Sequence, residues 1–359
     1  MTGMVAQFLN SNSHFVFVLG IVVSFAICFF VWLFQFGRLS DNHSLFTGPQ
    51  RIHLDPTPRI GGLGVVIAML AQAMFLSDEA GQMVLLIVLG ALPLFIAGFL
   101  EDLTNSISPS VRLLVSFIAG VGVCGFTGVW VTDVDILALN NILAISGVGI
   151  FFTVLAVASL ANAFNIIDGL HGLSIGTAIL MSATIGFIAM QSNDTTLLAV
   201  AACLVASLLG ALILNFPFGK IFVGDGGAYF IGVIVAALAV LLPERNSVMS
   251  PFVSAIIVLY PFYELVRSFL RRLIDNGAAT MQPDNKHLHS VFFILVRQRL
   301  RVRTCFQNSF ASCCVLTLPL MNCLWAVKYF DDRDKLIIGI LLFIVVYETL
   351  MRVIRKKLV

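Results

Sequence analysis

The run FVFVLGIVVSFAICFFVWLF, residues 15–34, contains no formal charge. At about 1.5 Å of rise per residue, a helix of that length spans roughly 30 Å, the thickness of a bilayer's hydrocarbon core. It follows no basic segment and ends in no small-residue cleavage pattern, so it predicts a membrane span and not a secretory leader. Similar runs recur along the whole chain. Of 359 residues, 59% are hydrophobic and only 11% are charged, where a soluble domain carries about 25% charged residues. The composition therefore excludes an ordinary soluble domain and predicts an all-α, polytopic membrane protein.

Hydropathy places about eleven spans, near 15–35, 60–76, 82–100, 111–130, 142–161, 173–190, 196–214, 222–242, 250–270, 308–327 and 335–352, or ten if the weakest pair is re-entrant. With this count, the loops 36–59, 101–111, 162–172, 215–221 and 267–307 and the C-terminal tail fall on one side. That side holds 17 of the 21 Lys and Arg, and the other holds only Arg245, Lys328, Arg333 and Lys335. The positive-inside rule then predicts an outside N-terminus and a cytoplasmic C-terminus. The whole chain, 1–359, reads as one integral membrane domain with a cytoplasmic basic and histidine-bearing loop at about 267–307. The seven cysteines show no C-x-x-C spacing and read as membrane-buried thiols.

The outer loops are short, and their acids read as solvated turns. The inner loops differ. DPTPRIGG (55–62), GFLEDLTNSISPSVRL (98–113), NAFNIIDGLHGL (162–173), FPFGKIFVGDGGAYFIG (216–232) and PDNKHLHS (283–290) each carry polar residues at a membrane boundary. Each has a bland reading. Glu101–Asp102 ends a helix, although acids there oppose its dipole. Asp168 forms an Asx turn with Gly169 and Gly172, Asp225 caps a helix, and His287 and His289 sit on an amphipathic interfacial helix. Taken together, the five segments share one face, and ionisable residues at membrane depth mark a site by default.

Carboxylates with Asn, and no thiolate or histidine cage, suit a hard divalent cation, Mg²⁺ or Mn²⁺. Arg, Lys and His in 267–303 add anion-binding capacity. A metal, cations for phosphate and a bilayer location point to phosphoryl transfer between a soluble nucleotide donor and a lipid acceptor. There is no Walker A or dinucleotide fingerprint.

These segments resemble, in order, the motifs of the polyprenyl-phosphate N-acetylhexosamine-1-phosphate transferases, glycosyltransferase family 4, a superfamily that includes the phospho-N-acetylmuramoyl-pentapeptide transferase. GFLEDLTNSISPSVRL resembles the acidic-pair motif, NAFNIIDGLHGLS the Asn-x-x-Asn-x-x-Asp-Gly motif, FVGDGGAYFIG the Gly-Asp motif and PDNKHLHS the histidine loop. The resemblance implies an inner-face cleft in a bacterial plasma membrane. It implies transfer of a sugar-1-phosphate from a UDP-N-acetylhexosamine to undecaprenyl phosphate, releasing UMP. That would be the first membrane step of an O-antigen, common-antigen or teichoic-acid type polymer. It involves the lipid bilayer and no nucleic acid, and admits a homodimer.

By motif position, Asp225 and Asn165 are the expected metal ligands. Asp102, with Glu101, would orient the lipid phosphate or act as base, and Asp168 would position the nucleotide or the metal's surroundings. Asn162 is expected at the substrate. His287 and His289, with Arg271 or Arg272, would neutralise the diphosphate, while Arg59 and Lys220 would contact phosphate. The chain departs from the family at Glu101, usually Asp, and at His171, usually Asp or Asn, which reads as substrate tuning. The competing class is a multi-span transporter of an anionic solute, which predicts polar residues near the bilayer midplane in broken helices of inverted repeats.

Overall fold

The computed structural model describes residues 11–35, 57–246, 248–274 and 286–358. These residues form fourteen helices and no strand: α1 (Ser11–Gln35), α2 (Gly62–Ala73), α3 (Asp78–Thr104), α4 (Pro109–Thr127), α5 (Leu137–Leu143), α6 (Ser146–Ile167), α7 (Leu173–Gln191), α8 (Thr195–Asn215), α9 (Gly224–Arg245), α10 (Phe252–Ile257), α11 (Leu259–Ile274), α12 (Leu288–Arg299), α13 (Thr304–Tyr329) and α14 (Arg333–Leu358). Among the described residues, nine are long and apolar enough to cross a membrane: α1, α3, α4, α6, α7, α8, α9, α13 and α14. The protein is a polytopic helical membrane protein.

Two expected spans take another form. The segment 60–76 becomes the twelve-residue α2, about 18 Å long and too short to cross. Its start is delayed because Gly61 and Gly62 donate N–H bonds to Phe222 O (2.9 Å) and Val223 O (3.0 Å). Its end tightens where Met74 and Phe75 bond three residues back, to Ala71 and Gln72. The segment 250–270 breaks into α10 and α11 at Val258. Pro261 supplies the reason, since its ring clashes with the carbonyl four residues earlier, at Ile257, and it has no N–H to continue the ladder.

α9 is apolar on every side and sits at the centre, buried from Gly226 to Leu242, as an all-round apolar helix requires. It packs on α3 and α6, and α6 on α4. Small residues allow the close approach. A methyl group at Gly62 would sit 2.3 Å from Gly227 Cα, and one at Gly98 would sit 2.6 Å from Gly226 Cα. Large apolar side chains such as Phe30, Phe34, Phe151 and Val345 face outward, which costs nothing against lipid. The carboxamide of Gln72, buried among α1, α2 and α8, is satisfied: it donates to Val16 O (3.1 Å) and accepts from Ser207 Oγ (2.8 Å).

The acids of the loops expected to be outside are more than solvated turns. Arg245 pairs with Asp194 at 2.7 Å and Glu79 at 3.4 Å, and Arg333 pairs with Asp135 at 3.3 Å. The described cysteines are all free thiols, with Cys28, Cys124, Cys203 and Cys323 buried and Cys305 and Cys313 exposed.

Candidate active site

The polar motifs meet at one end of the bundle. The expected loop 162–172 is mostly helix, because α6 continues to Ile167. Asn162 and Asn165 therefore stand one turn apart on a helix that also bears Asp168 at its C-cap. Likewise α3 runs through Glu101–Asp102 to Thr104 and stops at Asn105, whose φ of 50° ends the helix.

The turn into α9 brings the strands of chain together. Phe222 N–H bonds Pro58 O at 2.9 Å, so the PRIGG segment lies alongside IFVGDGG. Gly224 has φ 75°, and a Cβ there would fall 1.7 Å from Arg59 O. Only glycine fits this left-handed, crowded position. The turn places Asp225 in the first turn of α9, and Val223 takes the N-cap position.

Asp225 is the hub. Asn165 donates from Nδ2 to its Oδ1 at 3.0 Å, and Arg112 Nη1 forms an ion pair with its Oδ2. The Asp225 side chain is 29% exposed and that of Arg112 15%. Asp102 accepts the N–H of Asp225 and the N–H of Gly226, both at 3.0 Å. Both Asp102 oxygens thus cap the start of α9, where the helix dipole favours a negative group. That geometry suits orientation of Asp225. Glu101 Oε2 accepts Ile107 N–H at 2.7 Å and closes the turn after α3.

Asp168 accepts from Ser174 Oγ. Burial pushes its carboxyl up to about 6, the Ser174 bond opposes that shift, and Asp225 adds to it. Arg59 lies within electrostatic reach of both Asp168 and Asp102. Asn162 bonds Ser116 Oγ at 3.2 Å and Ala158 O at 2.8 Å, which links α6 to α4.

His171 is a joint between loops. Its N–H bonds Asn308 Oδ1 at 2.6 Å, its Nδ1 meets Pro217 O at 3.0 Å, and its Nε2 lies against Gly219. Gly172 N–H bonds Asn215 Oδ1 at 2.6 Å. Burial lowers the His171 pKa. The His171 ring is buried against Pro217 and Gly219, and Asn308 of α13 holds its N–H. Lys220 Nζ lies 5.1 Å from the centre of the Trp32 ring. Arg271 turns into an open groove of about 360 Å³ with Tyr263, Arg267, Glu348 and Arg355, and Arg272 ends α11 beside it.

His287 and His289 stand with rings stacked, centroids 5.6 Å apart. His289 is 4% exposed, its Nδ1 has no partner, and its Nε2 packs on Gly169, next to Asp168. Burial, and then His287, push its pKa down to about 4. The remainder of this loop, 275–285, lies outside the described residues.

Among the described residues no three His, Cys, Asp or Glu side chains form a ready metal cluster. The donor set still fits Mg²⁺, which takes oxygen ligands and commonly only one or two carboxylates, completed by substrate phosphate and water. Asp225 and Asn165 offer hard oxygens and adjoin each other, with no thiolate in the cluster. Sequence reasoning missed Arg112, Ser116, Ser174, Asn215, Glu264 and Asn308. Arg112 lies inside the quoted acidic-pair segment, where it looks like an ordinary boundary charge.

Residues 84–243 match the model of glycosyl transferase family 4. The chain is 27% identical over 241 residues to a probable undecaprenyl-phosphate N-acetylglucosaminyl 1-phosphate transferase of Bacillus subtilis, covering 67% of this chain and 66% of that protein. It is 28% identical over 245 residues to the undecaprenyl-phosphate alpha-N-acetylglucosaminyl 1-phosphate transferase of Thermotoga maritima, covering 68% and 70%. A putative UDP-N-acetylglucosamine–dolichyl-phosphate N-acetylglucosaminephosphotransferase of Sulfolobus acidocaldarius is 30% identical over 210 residues, covering 54% and 62%. The match thus spans about two thirds of these relatives' length. These polar segments gather at one end of an all-helical membrane bundle, and the chain is similar to glycosyl transferase family 4 over residues 84–243.

Proposed function

We propose that this protein, as one integral membrane domain, transfers a sugar-1-phosphate from a UDP-N-acetylhexosamine to undecaprenyl phosphate. The products are undecaprenyl-diphospho-sugar and UMP, in the first membrane step of a cell-surface polysaccharide. The observation that carries this reading is the convergence on Asp225 of Asn165, Arg112 and Asp102, each from a different helix, at one end of the bundle. The relatives' names supply the substrate class. The excess of Lys and Arg in the loops at the same end supports a cytoplasmic site in a bacterial inner membrane, with the N-terminus outside.

An acceptor phosphate monoester has a second pKa near 6 and is largely dianionic at neutral pH. Its oxygen attacks the sugar-bearing phosphorus, a new P–O bond forms, and the P–O bond to UMP breaks. No proton needs to be removed, which agrees with Asp102 being engaged as a helix cap. The barrier is the approach of two anions, so catalysis is positioning and charge neutralisation. Mg²⁺, held by Asp225 and Asn165, would supply positive charge to the diphosphate. Asp102 fixes the direction of Asp225. Arg112 adds a cationic donor, His287 is the histidine expected at the diphosphate, and Asp168 borders the same space.

Purified protein in bilayers should release UMP from a UDP-N-acetylhexosamine only when undecaprenyl phosphate and Mg²⁺ are both present. A donor panel that yields no metal-dependent UMP overturns the reading. A transporter would instead move an anionic solute across vesicles without UMP release.

A further inference from the structure

Glu264 was not among the residues the motifs pointed to, yet it is the most completely bonded buried carboxylate in the molecule's described part. It is 1% exposed. Its Oε1 accepts Tyr347 OH at 2.7 Å and Leu288 N–H at 3.1 Å, and its Oε2 faces His287 Nδ1 at 2.9 Å. These donors come from two separate places: Tyr347 of α14, and the start of α12 with the residue before it. A buried charge lacking such partners would cost several kcal/mol.

Leu288 N–H can only donate, and an ionised carboxylate can only accept, so the contacts from Tyr347 and His287 are O–H and Nδ1–H to oxygen. Nε2 then lies on the opposite side of the ring, and a ring protonated at both nitrogens can give Nδ1–H to Glu264 and Nε2–H to an anion at once. Burial alone would raise the Glu264 carboxyl, but the hydrogen bond and charge of His287 hold it below the ordinary value. The stacked His289 and Gly169 then connect the pair to Asp168.

We propose that Glu264 is a positioning residue for the transfer reaction, holding His287 by its Nδ1–H so that the protonated ring presents Nε2–H to the donor's diphosphate. This rests on the phosphotransferase reading above. A purely structural staple would tie α11, α12 and α14 together without acting through His287, and the two roles separate by experiment.

The first measurement needs no turnover. The chain has six histidines, so histidine-selective ¹⁵N labelling of the detergent-solubilised protein gives few signals. A hydrogen-bonded Nδ1–H signal should vanish in His287→Gln and shift in Glu264→Gln, where a neutral amide oxygen replaces the carboxylate. An unmoved signal in Glu264→Gln overturns the proposal whatever the wild-type rate. If Glu264→Gln does not fold, Glu264→Asp withdraws the carboxylate by one methylene and should shift or weaken the same signal, and an unmoved signal is equally fatal.

The second measurement is kinetic. Glu264→Gln and His287→Gln should each raise KM for the UDP-sugar about tenfold with kcat changed less than about threefold, and the double variant should lose no more than either single one. Additive losses mean that Glu264 does not act through His287 and overturn the proposal. Absence of UMP from wild-type protein would overturn the phosphotransferase reading, while the ¹⁵N signal still decides the Glu264–His287 link.

Discussion

Arg112 and Asp225, 113 residues apart in the chain, form an ion pair at the mouth of the bundle, with Asn165 on the other carboxylate oxygen. The guanidinium therefore occupies the carboxylate most suited to a metal. Its Nε is buried and has no partner of its own. Truncating Arg112 to Ala removes a charge-assisted bond of roughly 1.5–3 kcal/mol, equivalent to about 10–100-fold in kcat/KM. It also removes a positive charge that competes for Asp225, so Mn²⁺ binding measured by electron paramagnetic resonance should tighten. Weaker Mn²⁺ binding in Arg112→Ala would contradict the placement.

Asp225→Asn keeps the shape and an acceptor for Asn165 but removes the negative charge. Turnover should fall by more than about a hundredfold, the scale of losing one preorganised electrostatic contact, with thermal stability in detergent nearly unchanged. Normal turnover would remove Asp225 from the metal role.

Close backbone approach makes a second kind of prediction. A methyl group at Gly98 would sit 2.6 Å from the backbone of Gly226, one residue beyond Asp225. Overpacking of this kind costs roughly 1–3 kcal/mol, so Gly98→Ala should lower Tm and activity together. Gly125, on the same bundle, has nothing within 4 Å of that position, and Gly125→Ala should leave both unchanged or raise Tm slightly. Equal effects at the two sites would refute the packing account.

His289 gives the pH dependence a sign. Its folded pKa is pushed down to about 4, against roughly 6.5 for an unperturbed histidine. Between these values the unfolded chain binds more protons, so this group's contribution to stability is full above about pH 6.5 and is lost as pH falls toward 4. Replacing it in His289→Gln should make the fall in Tm from pH 7 to pH 5 shallower than in wild type. Parallel curves would show that the buried imidazole does not resist protonation.

Much of the architecture was legible in order and pattern. Uncharged runs of membrane length read correctly as helices because a bilayer requires every backbone polar group to be satisfied within its own segment. The two exceptions have local causes, a short backbone ladder at Gly61–Gly62 and the break imposed by Pro261. The polar motifs also read as a shared site, since ionisable residues beside apolar runs are too costly to be incidental.

What each polar residue does was decided elsewhere. Asp102 became a helix cap and Glu101 a turn closure, although both sit in one dipeptide, because α9 starts beside one and Ile107 beside the other. His171 became a loop joint because Pro217 and Asn308 arrive from distant parts of the chain. Arg112 and Glu264 look like ordinary interfacial charges in sequence, and only their partners mark them. The sequence by itself determined a helical membrane bundle and the chemistry gathered at one end of it, because burial in lipid acts on local composition. Tertiary structure alone decided which oxygen meets which donor, because those contacts join residues up to 137 positions apart, and no local pattern encodes such a distance.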